Sequence, residues 1–335
     1  MTRAWLLGLT AILLGLGPGP ALGQESLVWA GGVAGGGWDA ISTGMAALIR
    51  EKAGLSVRVV PGGGTRNPVL LARGDAGVAM GMPVLLAAAQ SGEDPYVGRK
   101  MDGLRGLVGN VSLNVFHFYV AADSPFAHMT IDEIVGRRQP IRLAISRPGT
   151  ADVWGMEKIL AHYGLCVSGK TSDCYRAWES VGAKFLRGSY DEQAAAFRSR
   201  KVDGTFALLA LPAASIAEAS QQRRLKLLPL PRPLVEDLAR FGFGDGTIPA
   251  GTYPKAANAA EDIASASVGT TIAVSATMSP DLAYRITRAI NDNPDLVRRI
   301  HPSLAGYDPA SGHLHLGVPL HPGAERYYRE KGWLP

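Results

Sequence analysis

Short apolar runs alternate with segments of helical periodicity along most of this 335-residue chain. The runs at 27–30, 57–60 and 77–80 are bounded by polar or glycine residues, which predicts three short β-strands. The first run is followed by a segment at 39–52 whose apolar residues recur at helical spacing. This alternation of strand and helix is typical of an α/β fold.

Two distant stretches, 57–80 and 183–208, have the same order of predicted elements. Each contains a strand, a polar turn, one helix, an aspartate beside a small residue, and an apolar strand. The aspartates, Asp75 and Asp203, are interpreted as turn residues that precede strands. The repeat predicts two α/β lobes of similar construction. A further strand at 141–146 precedes a helix that Thr150 is suited to cap.

Glycine-containing turns at 31–37, 61–64 and 147–150 each lead from a predicted strand into a helix. Such turns expose backbone N–H groups beside the positive end of a helix, which favours an anionic ligand group. Taken singly, each is equally consistent with a structural turn that binds nothing. Ligands of open α/β sheets bind at the carboxyl ends of strands, so three such turns predict a ligand cleft between the lobes.

The candidate ligand-binding residues lie in these turns and just after the strands at 77–80 and 205–208. They are Gly36, Gly37, Trp38, Gly64, Thr65, Arg66, Met82, Arg147, Thr150, Leu209 and Ala210. We expect Arg147 to pair with a ligand carboxylate, because its planar guanidinium can donate two parallel hydrogen bonds. Trp38 is expected to form an apolar wall opposite, and Arg66 is the competing candidate for the carboxylate.

The chain is predicted to cross from one lobe to the other twice. The first lobe is assigned residues 24–121 and 240–335, and the second lobe residues 122–239. We expect the hinge crossovers near 121–125 and within 225–250, and a single helix at 279–301 packed on the first lobe.

Residues 1–23 combine an early arginine, an apolar stretch and a small-residue cleavage site, which predicts a cleaved signal peptide and a periplasmic location. Cys166 and Cys174 enclose a short polar loop, which in an oxidising compartment indicates a disulfide. The alternative, a metal site, lacks nearby histidines or further cysteines.

The formal net charge of +5 is spread thinly, without the basic stripe of a nucleic-acid binder. The chain has no metalloprotease helix motif, phosphate-binding P-loop or Gly-x-Ser-x-Gly elbow. Asp39, Asp75, Asp152 and Asp203 are isolated carboxylates. We therefore assign no catalytic residue, metal or cofactor, and expect a monomeric binding protein rather than an enzyme.

Four blocks, at 35–38, 61–76, 248–254 and 319–328, carry a family resemblance over nearly the whole chain after residue 23. The chain resembles the TAXI family of solute-binding proteins, the periplasmic receptors of TRAP (tripartite ATP-independent periplasmic) transporters. The resemblance implies a bilobed type II periplasmic binding protein fold, with two α/β lobes joined by hinge crossovers. It also implies a ligand with a carboxylate, such as an amino acid or an organic or 2-oxo acid, and membrane subunits that receive it.

The chain departs from this family at the candidate site. Gly37-Trp38-Asp39 stands where the family usually has Thr-Tyr-Tyr, and the Gly-Ser-Gly-Thr turn is replaced by residues 147–150. The frame of the pocket is therefore expected to persist with a changed ligand. The alternative functions are a ligand sensor of the same fold that signals to a membrane partner and, less favoured, a secreted enzyme.

Overall fold

The computed structural model describes residues 26–166 and 171–335, and the predicted signal peptide at 1–23 lies outside the described residues. The strands are β1 (Ser26–Ala30), β2 (Ser56–Val60), β3 (Val78–Gly81), β4 (Leu104–Val108), β5 (Leu113–Ala121), β6 (Arg142–Ile145), β7 (Lys184–Arg187), β8 (Gly204–Ala210), β9 (Leu225–Leu227), β10 (Gly244–Ile248), β11 (Ile263–Gly269) and β12 (Thr271–Ser275).

The helices follow the strands through most of the chain. They are α1 (Gly37–Ala53), α2 (Asn67–Arg73), α3 (Pro83–Ser91), α4 (Ala151–His162), α5 (Thr171–Glu179), α6 (Tyr190–Arg198), α7 (Ala214–Gln222), α8 (Arg232–Ala239), α9 (Pro280–Asn291), α10 (Pro294–Ile300) and α11 (Pro322–Glu330). Within the described residues, no helix has the length and apolar character needed to cross a membrane.

The strands form two sheets. The first has the order β2-β1-β3-β12-β4, with β1, β2 and β3 parallel and β12 antiparallel to its neighbours. The second has the order β10-β11-β5-β8-β6-β7, and β9 pairs with the far end of β5. Helices α1, α9 and α11 pack with the first sheet, α10 packs against α1, and α4 and α6 pack with the second sheet. The fold therefore consists of two α/β lobes.

The chain passes between the sheets twice, through 109–112 and through Thr270. These two crossovers are hydrogen-bonded to each other: Val111 N donates to Thr270 O at 3.1 Å, and Thr270 N donates to Ser112 O at 2.9 Å. Two crossovers paired in this way form a double-stranded hinge, the element about which bilobed proteins close.

These crossovers differ from the lobe boundaries drawn from the sequence. Strand β5, assigned to the first lobe, lies in the second sheet because it pairs with β8 along seven residues. Strands β10 and β11, also assigned to the first lobe, extend the second sheet from the other edge of β5. The crossovers thus lie near 110 and 270 rather than within 121–125 and 225–250.

The predicted helix at 279–301 is two helices, α9 and α10, separated at residues 292–293. Pro294 lacks the backbone N–H that an uninterrupted helix would need at this position, so the chain begins a new helix there. Both helices contact α1 of the first lobe.

Cys166 and Cys174 form a disulfide that joins α5 to the segment following α4, which confirms the prediction made from their spacing. Aromatic side chains contribute to the packing of the second sheet. Phe116 stacks on Phe206 with ring centroids 5.2 Å apart, and Phe243 lies 4.9 Å from the Phe116 ring. This packing holds β5 and β8 as a rigid base for the cavity described below.

Candidate functional site

A small cavity lies between the lobes, where strand ends from both sheets meet the starts of α1, α3, α4 and α6. The space within which the centre of a water molecule can lie is about 30 Å³, so the cavity suits only a small solute. The lining residues are Gly32, Val33, Gly36, Gly37, Trp38, Gly63, Gly64, Met82, Asn114, Thr150, Ala151, Asp152, Tyr190, Leu208 and Leu209.

The two lobes are bonded to each other beside this cavity. Arg66 N of the first lobe donates to Gly149 O of the second at 3.1 Å, and Tyr190 N of the second donates to Ala34 O of the first at 3.2 Å. Main-chain hydrogen bonds across a cleft require the lobes to be in contact. The cleft is therefore closed in this structure.

Two glycines of the first lobe permit this close approach. A Cβ at Gly64 would lie 2.6 Å from the Cβ of Ala151, closer than two carbon atoms can pack. Gly35 has a φ of +79°, and a Cβ there would overlap the side chain of Asp191. The glycine loops therefore serve two purposes, since they turn the chain and they let the second lobe reach it.

A side-chain latch also connects the lobes. Asp94, which follows α3, accepts hydrogen bonds from Trp154 Nε1 at 2.8 Å and from Lys158 Nζ at 2.5 Å. Trp154 and Lys158 lie on α4 of the second lobe, and Lys158 also lies over the Trp154 ring. The Asp94 carboxylate thus binds two hydrogen-bond donors of the opposite lobe, at a place outside the cavity.

The hinge is tied to the cavity through the hydroxyl of Thr270, which is fully buried. Thr270 Oγ1 accepts hydrogen bonds from Trp38 Nε1 at 3.0 Å and from Asn114 Nδ2 at 2.8 Å. Trp38 lies on α1 of the first lobe and Asn114 lies on β5 of the second sheet, and both line the cavity. The orientation of these two side chains therefore depends on the hinge conformation.

Asn67, fully buried at the start of α2, fixes the glycine loops of the first lobe. Its side-chain oxygen accepts from Gly63 N at 2.9 Å, and its Nδ2 donates to Gly31 O at 2.9 Å and to Met80 O at 2.7 Å. One side chain thus joins the ends of three neighbouring strands. This network sets the shape of the cavity on the first-lobe side.

Asp152, the second residue of α4, is 1% exposed and faces the cavity. Neither of its carboxylate oxygens has a hydrogen-bond partner within the described part of the chain. Burial raises the pKa of Asp152 above its usual value, and the nearby hydroxyls of Ser146 and Thr150 act against that increase. An acid without partners in a closed cavity is an exception to the rule that buried polar groups are hydrogen-bonded.

Other acids lie close to the same cleft. The pKa of Asp39, on the first turn of α1, is raised by burial and by the negative charge of Asp191 on the opposite lobe. Burial also raises the pKa of the Tyr190 hydroxyl, and the charge of Asp152 adds to that effect. Tyr190 is therefore a neutral hydroxyl beside an acid, able to donate a hydrogen bond.

Seven of the residues singled out in the sequence lie in the cavity lining. They are Gly36, Gly37, Trp38, Gly64, Met82, Thr150 and Leu209. Thr150 occupies the N-cap position of α4 as expected, but its hydroxyl donates to Arg147 O at 3.1 Å instead of capping the helix.

The other four residues lie outside that lining: Thr65, Arg66, Arg147 and Ala210. The Arg147 side chain is 65% exposed and donates to Glu192 Oε2 at 3.0 Å, so its guanidinium already has a carboxylate partner at the surface. Arg66 is exposed, and it contacts the second lobe through its backbone N–H.

Asn114, Asp152 and Tyr190 line the cavity but are not among the site residues expected from the sequence. Asp152 stands out only through its position, two residues after the Thr150 N-cap and in the first turn of α4. Tyr190 similarly follows Ser189, which with Glu192 forms a capping box at the start of α6. A search of the first turns of the second-lobe helices would have found both residues.

Comparisons with known proteins agree with this architecture. Residues 29–332 match the model of the NMT1-like family. MatC from Rhodopseudomonas palustris with bound malate is 12% identical, with a TM-score of 0.53, over 92% of this chain and 97% of that one. The alkanesulfonate-binding protein SsuA from Xanthomonas axonopodis pv. citri bound to MOPS is 16% identical, with a TM-score of 0.46, over 93% and 84% of the two chains.

A third neighbour, described as a periplasmic transporter, is 11% identical, with a TM-score of 0.48, over 93% of this chain and 95% of that chain. The match to the family model covers nearly the whole of the described chain. The chain therefore belongs to the NMT1-like family, and its two-lobed fold resembles that of MatC.

Proposed function

We propose that this protein is the periplasmic receptor of a TRAP-type secondary transporter, of the TAXI type, and that it captures a small carboxylate-bearing solute between its lobes. The observation that carries the proposal is the closed interlobe cavity, walled by loops and helix starts of both lobes. A site that neither lobe completes alone binds its ligand by closure, as a transport receptor must do before delivery.

The carboxylate is held by backbone N–H groups at the start of α1, where Gly37 and Trp38 line the cavity. The first N–H groups of a helix have no acceptor within the helix, and the helix dipole favours an anion there. This assignment differs from the sequence-based expectation for Arg147, whose side chain pairs with Glu192 at the surface.

The experiment is a thermal-shift screen of the purified protein against amino acids and organic acids, followed by calorimetry. We expect a carboxylate to bind, and Arg147→Ala and Arg66→Ala each to retain the parent affinity within about threefold. A loss of well over tenfold in either variant would restore the arginine clamp, since losing a charge-assisted pair costs roughly 2–5 kcal/mol.

Transport itself is tested by uptake into proteoliposomes that contain TRAP membrane subunits. We expect uptake of the identified solute only when this protein is added on the outside. Tight binding without uptake would favour the alternative function of a sensor that signals to a membrane partner.

A further inference from the structure

Among the described residues that line the cavity, Asp152 alone has a charged side chain. The rest of the wall is glycine backbone, apolar side chains and the neutral polar groups of Trp38, Asn114, Thr150 and Tyr190. The charge that the protein presents to a solute from a side chain in this cavity is therefore negative.

The hydroxyls of Ser146, Thr150 and Tyr190 lie near the Asp152 carboxylate, but none of them forms a hydrogen bond with it. Both oxygens are buried and neither accepts a hydrogen bond within residues 26–166 and 171–335. The positive end of α4 favours the ionised form, but burial of a carboxylate that is not paired is costly. A ligand that brings a positive, hydrogen-bonding group would remove this cost at the moment of binding.

The surroundings of the cleft favour a cation as well. Asp39 and Asp191 face each other across the lobes, close enough for the charge of Asp191 to raise the pKa of Asp39. Arg147, which lies four residues before the start of α4, is paired with Glu192. The negative field at this side of the cavity is thus not neutralised by that arginine.

We propose that Asp152 binds an ammonium group of the solute. The inference rests on the proposed function, which places the solute carboxylate at the start of α1. Helices α1 and α4 begin on opposite lobes and both contribute to the cavity wall, so one small zwitterion would satisfy both. The solute is accordingly a small amino acid, and the corresponding 2-oxo acid is discriminated against.

The first test compares matched pairs by calorimetry on the purified protein. The common amino acids are titrated beside their 2-oxo counterparts, such as alanine with pyruvate and glutamate with 2-oxoglutarate, and ethanolamine serves as an amine without a carboxylate. We expect at least one amino acid to bind tenfold or more tightly than its 2-oxo acid. A 2-oxo acid that binds as well as its amino acid overturns the inference and leaves the proposed function standing.

The second test is Asp152→Asn, which keeps the shape of the side chain and removes its charge. We expect about thirtyfold or greater loss of affinity for the amino acid, and a higher melting temperature without ligand because the unpaired acid is gone. Asp281→Asn is the matched control, since Asp281 holds the same position in the first turn of α9 but is exposed. We expect no change in affinity for the control.

The remaining outcomes separate the two proposals. If Asp152→Asn binds the amino acid within threefold of the parent, Asp152 does not hold an ammonium and the inference is overturned. Binding of ethanolamine without binding of any carboxylate would overturn the proposed solute class and support the ammonium site. If nothing in the panel binds to the folded protein, both proposals fail.

Discussion

His117, in the middle of β5, is the clearest example of a single residue whose surroundings fix its protonation state. It is fully buried, its Nδ1 lies 2.9 Å from Val115 O, and its Nε2 lies 2.9 Å from the Tyr253 hydroxyl. The Tyr253 oxygen accepts from Ala213 N, so its proton is free to be donated to His117. Burial lowers the pKa of His117 to about 3, and the imidazole is neutral in the folded protein.

This depressed pKa makes the stability of the second lobe depend on pH. Between about 3 and the ordinary value of 6.5, the unfolded chain binds a proton at His117 that the folded chain does not bind. The free energy of unfolding therefore falls as the pH is lowered below 6.5. We expect this residue to contribute a loss of about 2 kcal/mol between pH 7 and pH 5.

Urea denaturation of the parent and His117→Gln at both pH values checks this expectation. The parent should lose more stability than the variant on acidification, by about the amount given above. His128→Gln is the control, because His128 is exposed. Equal pH dependence in the parent and His117→Gln would show that His117 is protonated in the folded state as easily as in the unfolded state.

Whether a site residue could be predicted from the sequence depends on whether its neighbours in space are also its neighbours along the chain. The glycine turns that line the cavity could be predicted, because a turn between a strand and a helix requires glycine at particular backbone angles. The burial of Asp152 could not be predicted from its local sequence, because it depends on Tyr190 and on the glycine loops of the other lobe. Likewise the pairing of Arg147 with Glu192 joins residues forty-five positions apart in the chain.

At the scale of elements, the disulfide fastens α5 to the segment that follows α4. Cys166 and Cys174 are eight residues apart, so the bond closes a short loop. A cross-link restricts the unfolded chain, and for a loop of this length the chain-entropy model gives about 2.5 kcal/mol of stabilisation. Helix α4 contributes Asp152 to the cavity, so the bond also braces the far end of a site helix.

We expect reduction of the disulfide to lower the free energy of unfolding by about 2–3 kcal/mol. Urea denaturation with and without reductant measures the difference, and the double variant Cys166→Ser, Cys174→Ser should match the reduced parent and be insensitive to reductant. Identical stability of the oxidised and reduced parent would contradict this account.

The positions of the strands and helices were largely predictable from the sequence, but the pairing between strands was not. The strand at 57–60 and the helix at 39–52 agree with β2 and α1 within a few residues, because apolar spacing reports local conformation. Strand β5 was predicted as a strand but assigned to the wrong sheet. Its apolar run does not say whether β8 or a strand of the first sheet lies beside it, since pairing is decided by distant residues.

Within residues 26–166 and 171–335, three sets of contacts that join the lobes have been described above. The crossovers pair at the hinge, main-chain hydrogen bonds cross the cleft beside the cavity, and Asp94 joins α3 to α4 at the side. Of these, the Asp94 latch is the contact that a substitution can remove without touching the cavity or the hinge. It therefore offers a way to change the balance between open and closed lobes.

We expect Asp94→Ala to shift this balance toward the open form by about 1 kcal/mol, or roughly fivefold. Small-angle X-ray scattering without solute should then give a larger radius of gyration than for the parent, and a solute should restore the smaller value. Asp102→Ala, which replaces an exposed aspartate of the same lobe, is the control. An unchanged scattering profile for Asp94→Ala would mean that the latch does not govern closure.

The main-chain hydrogen bonds at Gly149 and Ala34 have a kinetic consequence. The cavity lies beside these bonds, and we expect them to break before a solute enters or leaves. Entry then waits on a spontaneous opening, whose frequency belongs to the protein and not to the solute. At high solute concentration the observed binding rate would level off at that frequency, and the same step would set how long a captured molecule stays before it is handed on.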